Sequence, residues 1–227
     1  AAGRMDAAAA LYEAWLTDNT DALRHVACFN WGALLSQLGQ NTEAEAAYQR
    51  ALQALPGFAP AHLNLGHLCE RRGDIEAALQ HWRAVFDAQP QPTLEHRLHA
   101  LNNSARMLEV QRRYPEAEVL MRSSLELQPG QGDVIQHYVH IRQKQCAWPL
   151  YQPVGEVTAN QMLVGTSPLA MMDASDDPAL QLMAALRFAS ERAPKPPAVP
   201  LHTQVPPRDR SGDKREGPPK KKAAASS

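Results

Sequence analysis

A spacing of 34 residues runs through the first half of the chain. Gly32 recurs as Gly66, Gly39 as Gly73, Ala44 as Ala78, Tyr48 as Trp82, Ala51 as Val85 and Pro56 as Pro90. Six agreements in one register mark a tandem repeat. A unit of this length is a pair of helices that cannot bury its apolar face alone, so the chain must stack neighbouring units into a solenoid. Small residues at 32 and 44, or at 66 and 78, let two helices approach closely. Tyr48 or Trp82 is expected to fill the space toward the next unit, and Pro56 and Pro90 to stop each second helix.

A third unit reads Ala105, Leu108, Tyr114, Ala117, Met121, Leu125 and Pro129, offset by 39 residues, so about Gln91 to Glu95 one turn is five residues longer. An incomplete unit precedes these, with Ala8, Tyr12 and Trp15 at second-helix spacing and a longer loop at Thr17 to Asp21; the start reads as cut inside a repeat. After Pro129, the apolar spacing of Val134, Tyr138 and Ile141 predicts one more first-type helix over Asp133 to Gln145, closing the stack. The order of a large residue, Gly, Ala, an aromatic and Pro resembles the tetratricopeptide repeat. Trp31-Gly32 and Leu65-Gly66 stand where that family has Leu-Gly, while Cys28 and His62 replace its tryptophan. The fold class expected is therefore all-α: a right-handed tetratricopeptide-repeat solenoid over 1–145, a helical transition module over 146–193 and a disordered tail over 194–227.

The tail is set apart by composition. Residues 194–227 hold eight Lys and Arg against three Asp and Glu, a net of +5, which leaves −6 on the first 193 residues of a chain whose total is −1. Eight of the 18 prolines fall there with almost no large apolar side chains, too few to offset the entropy of ordering. Interleaved acids and the lack of aromatic side chains make nucleic acid an unfavoured partner. Elsewhere, no apolar run approaches the roughly 18 to 20 residues of a membrane span. The alanine-rich start carries Arg4 and Asp6 without the apolar block of a secretory signal. Cys28, Cys69 and Cys146 are far apart and unpaired in pattern. A cytoplasmic protein in a reducing compartment is expected, with no membrane association.

Counting each unit from His25, Ala59 and Leu98, the sixth position is Asn30, Asn64 and Asn103. Asparagine is a poor residue inside helices. Its side-chain amide both donates and accepts, so a row of them can pair with the backbone of an extended peptide whatever that peptide's side chains. The alternative is that each Asn bonds within its own helix pair. Other candidates point away from chemistry. His96 with His99, and His137 with His140, can share a helical face, but no third ligand lies in sequence reach, so no metal site is expected. Cys28 and Cys69 fall on positions facing the helix pair and read as small core residues. There is no phosphate loop, nucleophile elbow or carboxylate pair, so no catalytic residue and no cofactor is expected.

The run Arg142 to Pro149, Arg-Gln-Lys-Gln-Cys-Ala-Trp-Pro, ends a helix with no repeat signature, and Ser167 to Pro178 follows, closing in Asp176-Asp177-Pro178. Asp177 and Pro178 suit the N-cap and first turn of a helix through Leu180, Met183, Leu186 and Phe188. Over roughly residues 5–192 the chain resembles the bacterial SPINDLY-type protein O-linked N-acetylglucosamine transferases. That resemblance implies a groove whose asparagine ladder, matched here by Asn30, Asn64 and Asn103, holds acceptor polypeptides by their backbone. In the full-length family, N-acetylglucosamine passes from UDP-GlcNAc to Ser or Thr. The family's catalytic lobes, which open with a segment of the type Arg-x-Gly-Tyr-x-Ser-x-Asp-Phe, do not map, and the end reads as truncated or frame-shifted. This chain alone is expected to be inactive, recognising extended segments of acceptor or partner proteins. The second expectation is a stand-alone tetratricopeptide adaptor that clamps a partner's acidic C-terminus, for which the first helices offer Arg24, His25, His62, Arg97 and Arg106.

Overall fold

A computed structural model describes residues 22–89 and 91–192, together with 7, 10–12 and 14–16 of a helical segment before them. Three helical hairpins follow one another: α1 (Arg24–Gln37) with α2 (Asn41–Ala54), α3 (Ala59–Arg72) with α4 (Ile75–Ala84), and α5 (Leu94–Val110) with α6 (Tyr114–Leu127). Then come α7 (Gly132–Lys144), two seven-residue helices, α8 (Ala159–Gly165) and α9 (Pro168–Ala174), and α10 (Pro178–Arg192). Among the described residues the β structure is a single bridge, Val154 with Val157. The all-α tetratricopeptide solenoid is the architecture found. Among the described residues, no helix is long and apolar enough to cross a membrane.

The hairpins are built as the repeat dictates, with one difference in where the aromatic goes. Tyr48 and Trp82 are buried against the glycine of their own unit. A Cβ on Gly32 would stand 2.7 Å from Tyr48 Cε1, and one on Gly66 would fall on the Trp82 indole. Trp82 also donates from Nε1 to the Leu63 carbonyl at 3.3 Å, inside the same hairpin. The aromatic therefore locks the two helices of one unit together rather than only reaching toward the next. In the third unit Ala105 stands at the glycine position and the flexible Met121 at that of the aromatic, both in one core, a pairing that suits the extra methyl.

The core runs between units. Cys28, Tyr48 and Ala51 of the first hairpin share a cluster with Ala61, Leu65 and Leu68 of the second. Ala59, Leu63 and Trp82 pack with Ala100 and Met107 of the third. Tyr138 and Ile141 of α7 pack with Leu125 of α6 and with Leu150, Val154 and Met162 beyond the stack. In the segment before α1, the buried side chain is Leu16, while Trp15 is more than a third exposed. Leu16 also offers its carbonyl to Arg24 Nη1 at 3.0 Å.

Helix α4 stops at Ala84, well before Pro90, so proline is not what ends it. Val85 and Phe86 instead donate to the carbonyls of Trp82 and Arg83, three residues back, which tightens the chain out of the α-helix before the longer connection to α5. Thr93 then caps α5 by accepting from His96 N at 3.3 Å. At α10 the expected cap is present: Asp177 Oδ1 accepts from Ala179 N at 2.8 Å, with Pro178 at the first position. One compact unit extends through Phe188, and the second begins at Ala189, of which only the last turn of α10 is described. Ala8, the loop at 17–21, Pro90 and the tail expected over 194–227 lie outside the described residues.

Candidate peptide-binding face

The first helices α1, α3, α5 and α7 are linked to one another by a succession of polar contacts. From α3, Arg71 reaches back to Ser36 Oγ at 3.1 Å and Asn41 Oδ1 at 3.2 Å. Arg106 of α5 donates to Glu70 of α3 at 2.7 Å, and His137 of α7 lies 3.2 Å from Glu109 of α5. These contacts recur because the period places position twelve of one first helix beside position six, nine or thirteen of the next.

Asn30, Asn64 and Asn103 occupy α1, α3 and α5 two residues before Gly32, Gly66 and Ala105, so the repeat brings the three amides to equivalent places. Asn30 is exposed; Asn64 and Asn103 are half-buried. Only Asn64 makes an internal bond among these three, its Nδ2 donating to Tyr48 Oη at 3.1 Å. That bond uses the amide nitrogen and leaves the carbonyl oxygen able to accept from another donor. Burial raises the Tyr48 phenol above its ordinary range, against the opposing effects of the Asn64 bond and the Arg71 charge. Tyr48 thus stays a neutral acceptor for Asn64 at any physiological pH. The continuing position in α7, the sixth from Gly132, is His137.

That pair has a third neighbour which sequence spacing could not reveal. Glu109, from α5, accepts from His137 and lies 3.9 Å from His140 Nε2. The three border a cavity of about 250 Å³ that also meets Thr166, Ser167 and Ala170. Among the described residues, no group of three or more His, Cys, Asp or Glu is arranged to hold a metal ion. Cys28 and Cys69 are buried, with thiols pushed up by burial, and so are poor nucleophiles.

The basic residues that an acidic-tail clamp would need are mostly engaged inside the fold. Arg106 is paired with Glu70, Arg24 with the Leu16 carbonyl, His25 with the Ala22 carbonyl and His62 with Pro56 and His81.

The Arg142 to Pro149 run has a structural task. Arg142 is buried, its guanidinium bound to Glu118, and it donates to the carbonyls of Pro149 at 2.8 Å and Leu150 at 3.2 Å. Gln145 adds a bond to Glu118 at 3.0 Å, and Gln143 donates to the Ala170 carbonyl at 2.8 Å. The run therefore folds the chain back from α7 and ties α9 to it, while Trp148 is left 73% exposed.

The tetratricopeptide repeat family pattern matches residues 35–101. No curated protein sequence gives a significant match. Among solved structures, the chain is similar to MamA, with a TM-score of 0.56 at 13% identity over 83% of this chain and 92% of that one. MamA AMB-1 gives 0.52 at 18% identity over 80% and 89%, and MamA 41-end from Desulfovibrio magneticus RS-1 gives 0.51 at 17% over 64% and 78%. At these identities the likeness is one of fold: the chain carries a tetratricopeptide-repeat solenoid.

Proposed function

We propose that the chain is a protein-binding repeat scaffold whose first helices hold extended polypeptides by their backbone through Asn30, Asn64 and Asn103. The observation that carries this is one amide at the equivalent position of three consecutive first helices, two of the three without an internal bond. A side chain kept for packing would show a repeated partner, whereas the Tyr48 contact of Asn64 has no counterpart at Asn30 or Asn103. Neutral amides read the main chain and leave the partner's side chains free.

The setting we favour is the acceptor-recognition region of a protein O-GlcNAc transferase, on the resemblance carried by Gln143 to Pro149 and Asp176 to Pro178. In that setting UDP-GlcNAc would bind in the family's catalytic lobes and not to the repeats. The stand-alone adaptor shares the same groove, but its acidic-tail form would have to release Arg106 from Glu70 first. Radiolabelled UDP-GlcNAc offered to the chain with protein acceptors should give no incorporation above background.

The test of the groove is the triple change Asn30→Ala, Asn64→Ala, Asn103→Ala, assayed against several unrelated extended peptides. Loss of one bond per amide, at about 0.5 to 1.5 kcal/mol each, should weaken every peptide by a similar factor, roughly 1.5 to 4.5 kcal/mol in total. Only Asn64→Ala should lower the melting temperature, by the few degrees that about 1 kcal/mol represents, because it alone removes an internal bond. Unchanged peptide affinity with a large fall in melting temperature would make the asparagines structural.

A further inference from the structure

His62 and His81 join three segments where the first two hairpins meet. His62 Nε2 lies 3.0 Å from the carbonyl of Pro56, in the turn between α2 and α3, and His62 Nδ1 lies 3.3 Å from His81 Nδ1 on α4. A carbonyl can only accept, so His62 carries its proton on Nε2. In the neutral ring Nδ1 is then bare and must accept, which makes His81 the donor from Nδ1 and leaves His81 Nε2 bare. One pair of tautomers satisfies all the contacts. Alongside, Gly57 backs so closely onto the Gln89 backbone that a Cβ has no room, and the two turns border a cavity of about 410 Å³.

We propose that the His62–His81 bond is a proton-operated latch holding the 55–58 turn against the 85–89 turn, closed with no proton or one proton added to the pair and opened by the second. The first added proton goes to His81 Nε2 and leaves the Nδ1–H···Nδ1 bond in place. The second can go only to His62 Nδ1, where two N–H donors and two cationic rings, their centroids 5.6 Å apart, then face one another.

Charges around the pair do little to relieve this. Glu45 of α2 favours a charged His81 but is itself held by Arg72 at 2.9 Å, and Asp87 lines the cavity with His62. Burial keeps both imidazoles below their ordinary range: His62 by burial against the Pro56 bond, His81 by burial and the His62 charge against Glu45. Folded-state values lowered in this way mean that the stability from the neutral pair is present above about pH 6.5, the ordinary imidazole value, and is lost as the pH falls below it.

Hydrogen exchange of the full chain at about pH 7.5 and 5.0, corrected for intrinsic rates, tests the latch against His81→Gln, which keeps a neutral donor that cannot be charged. Protection of 55–62 and 84–89 should be lost at the lower pH in the parent, while that of 114–127 holds. His81→Gln should abolish that dependence. Protection independent of pH, or a dependence that survives His81→Gln, overturns the proposal. Should the variant fail to fold, 15N spectra of the parent imidazoles decide: two coupled steps, with the second proton of the pair taken up well below the first, support the latch, and both rings titrating as free imidazole overturn it.

Discussion

Gly66 lies under the Trp82 indole with no room for a methyl group, and Gly32 lies under Tyr48 in the same way. Overpacking of this kind typically costs about 1 to 3 kcal/mol. Gly66→Ala should therefore lower the melting temperature more than Gly32→Ala, because the indole is both larger and tethered to the Leu63 carbonyl. Urea unfolding of the two variants checks this, and equal, negligible effects would mean that the aromatic can slide aside. The recurrence of small residue and aromatic was legible at 34-residue spacing, but which aromatic sits on which glycine was not. Periodicity says that two positions are equivalent without saying what either touches. The same holds for Asn64: its place in the row came from the period, while its bond to Tyr48 depends on a partner 16 residues away on another helix.

At the scale of an element, the end of α7 shows how a conspicuous run can owe its character to folding. Arg142 gathers carbonyls of the segment that follows it, and Glu118 of α6 balances its charge. Removing one partner of a buried pair leaves the other charged and unpaired, at a cost of about 3 to 5 kcal/mol. Arg142→Ala should thus be among the most damaging single changes in the molecule, and Arg142→Ala with Glu118→Gln should recover part of the loss. Thermal unfolding of the two checks this; a double variant no better than the single would remove Glu118 from the account. The run stands out by its pattern, yet its purpose is not legible there, because Glu118 lies 24 residues earlier on α6 and the pattern does not say that Arg142 folds back on the carbonyls of Pro149 and Leu150. Helix α4 is the opposite case. Pro90 looked like its natural stop, but the three-residue-back bonds at Val85 and Phe86 end it sooner, and no residue type announces that.

Over the whole molecule, the proposed peptide binding and the stability of the fold draw on different faces. The cores lie between the two helices of each unit and between neighbouring units, so changes there should act on unfolding and leave the face of the first helices intact. Changes at Asn30 and Asn103 should do the reverse. That separation follows from the repeat itself: a solenoid fixes its side chains in register by packing behind them, which is why the amide row could be read from spacing while the Glu109–His137 contact beside it could not. The central claim is that the row reads peptide backbone, and a methylation scan of one bound peptide tests it most directly. N-methylating single backbone amides of that peptide should weaken binding at those facing the three asparagines by about tenfold each, the worth of one hydrogen bond of about 1.4 kcal/mol. Scrambling the side-chain order of the same peptide should leave affinity within about threefold, since a side chain that makes no specific bond contributes little to the difference. Tolerance of every N-methyl group together with loss of binding on scrambling would contradict the account.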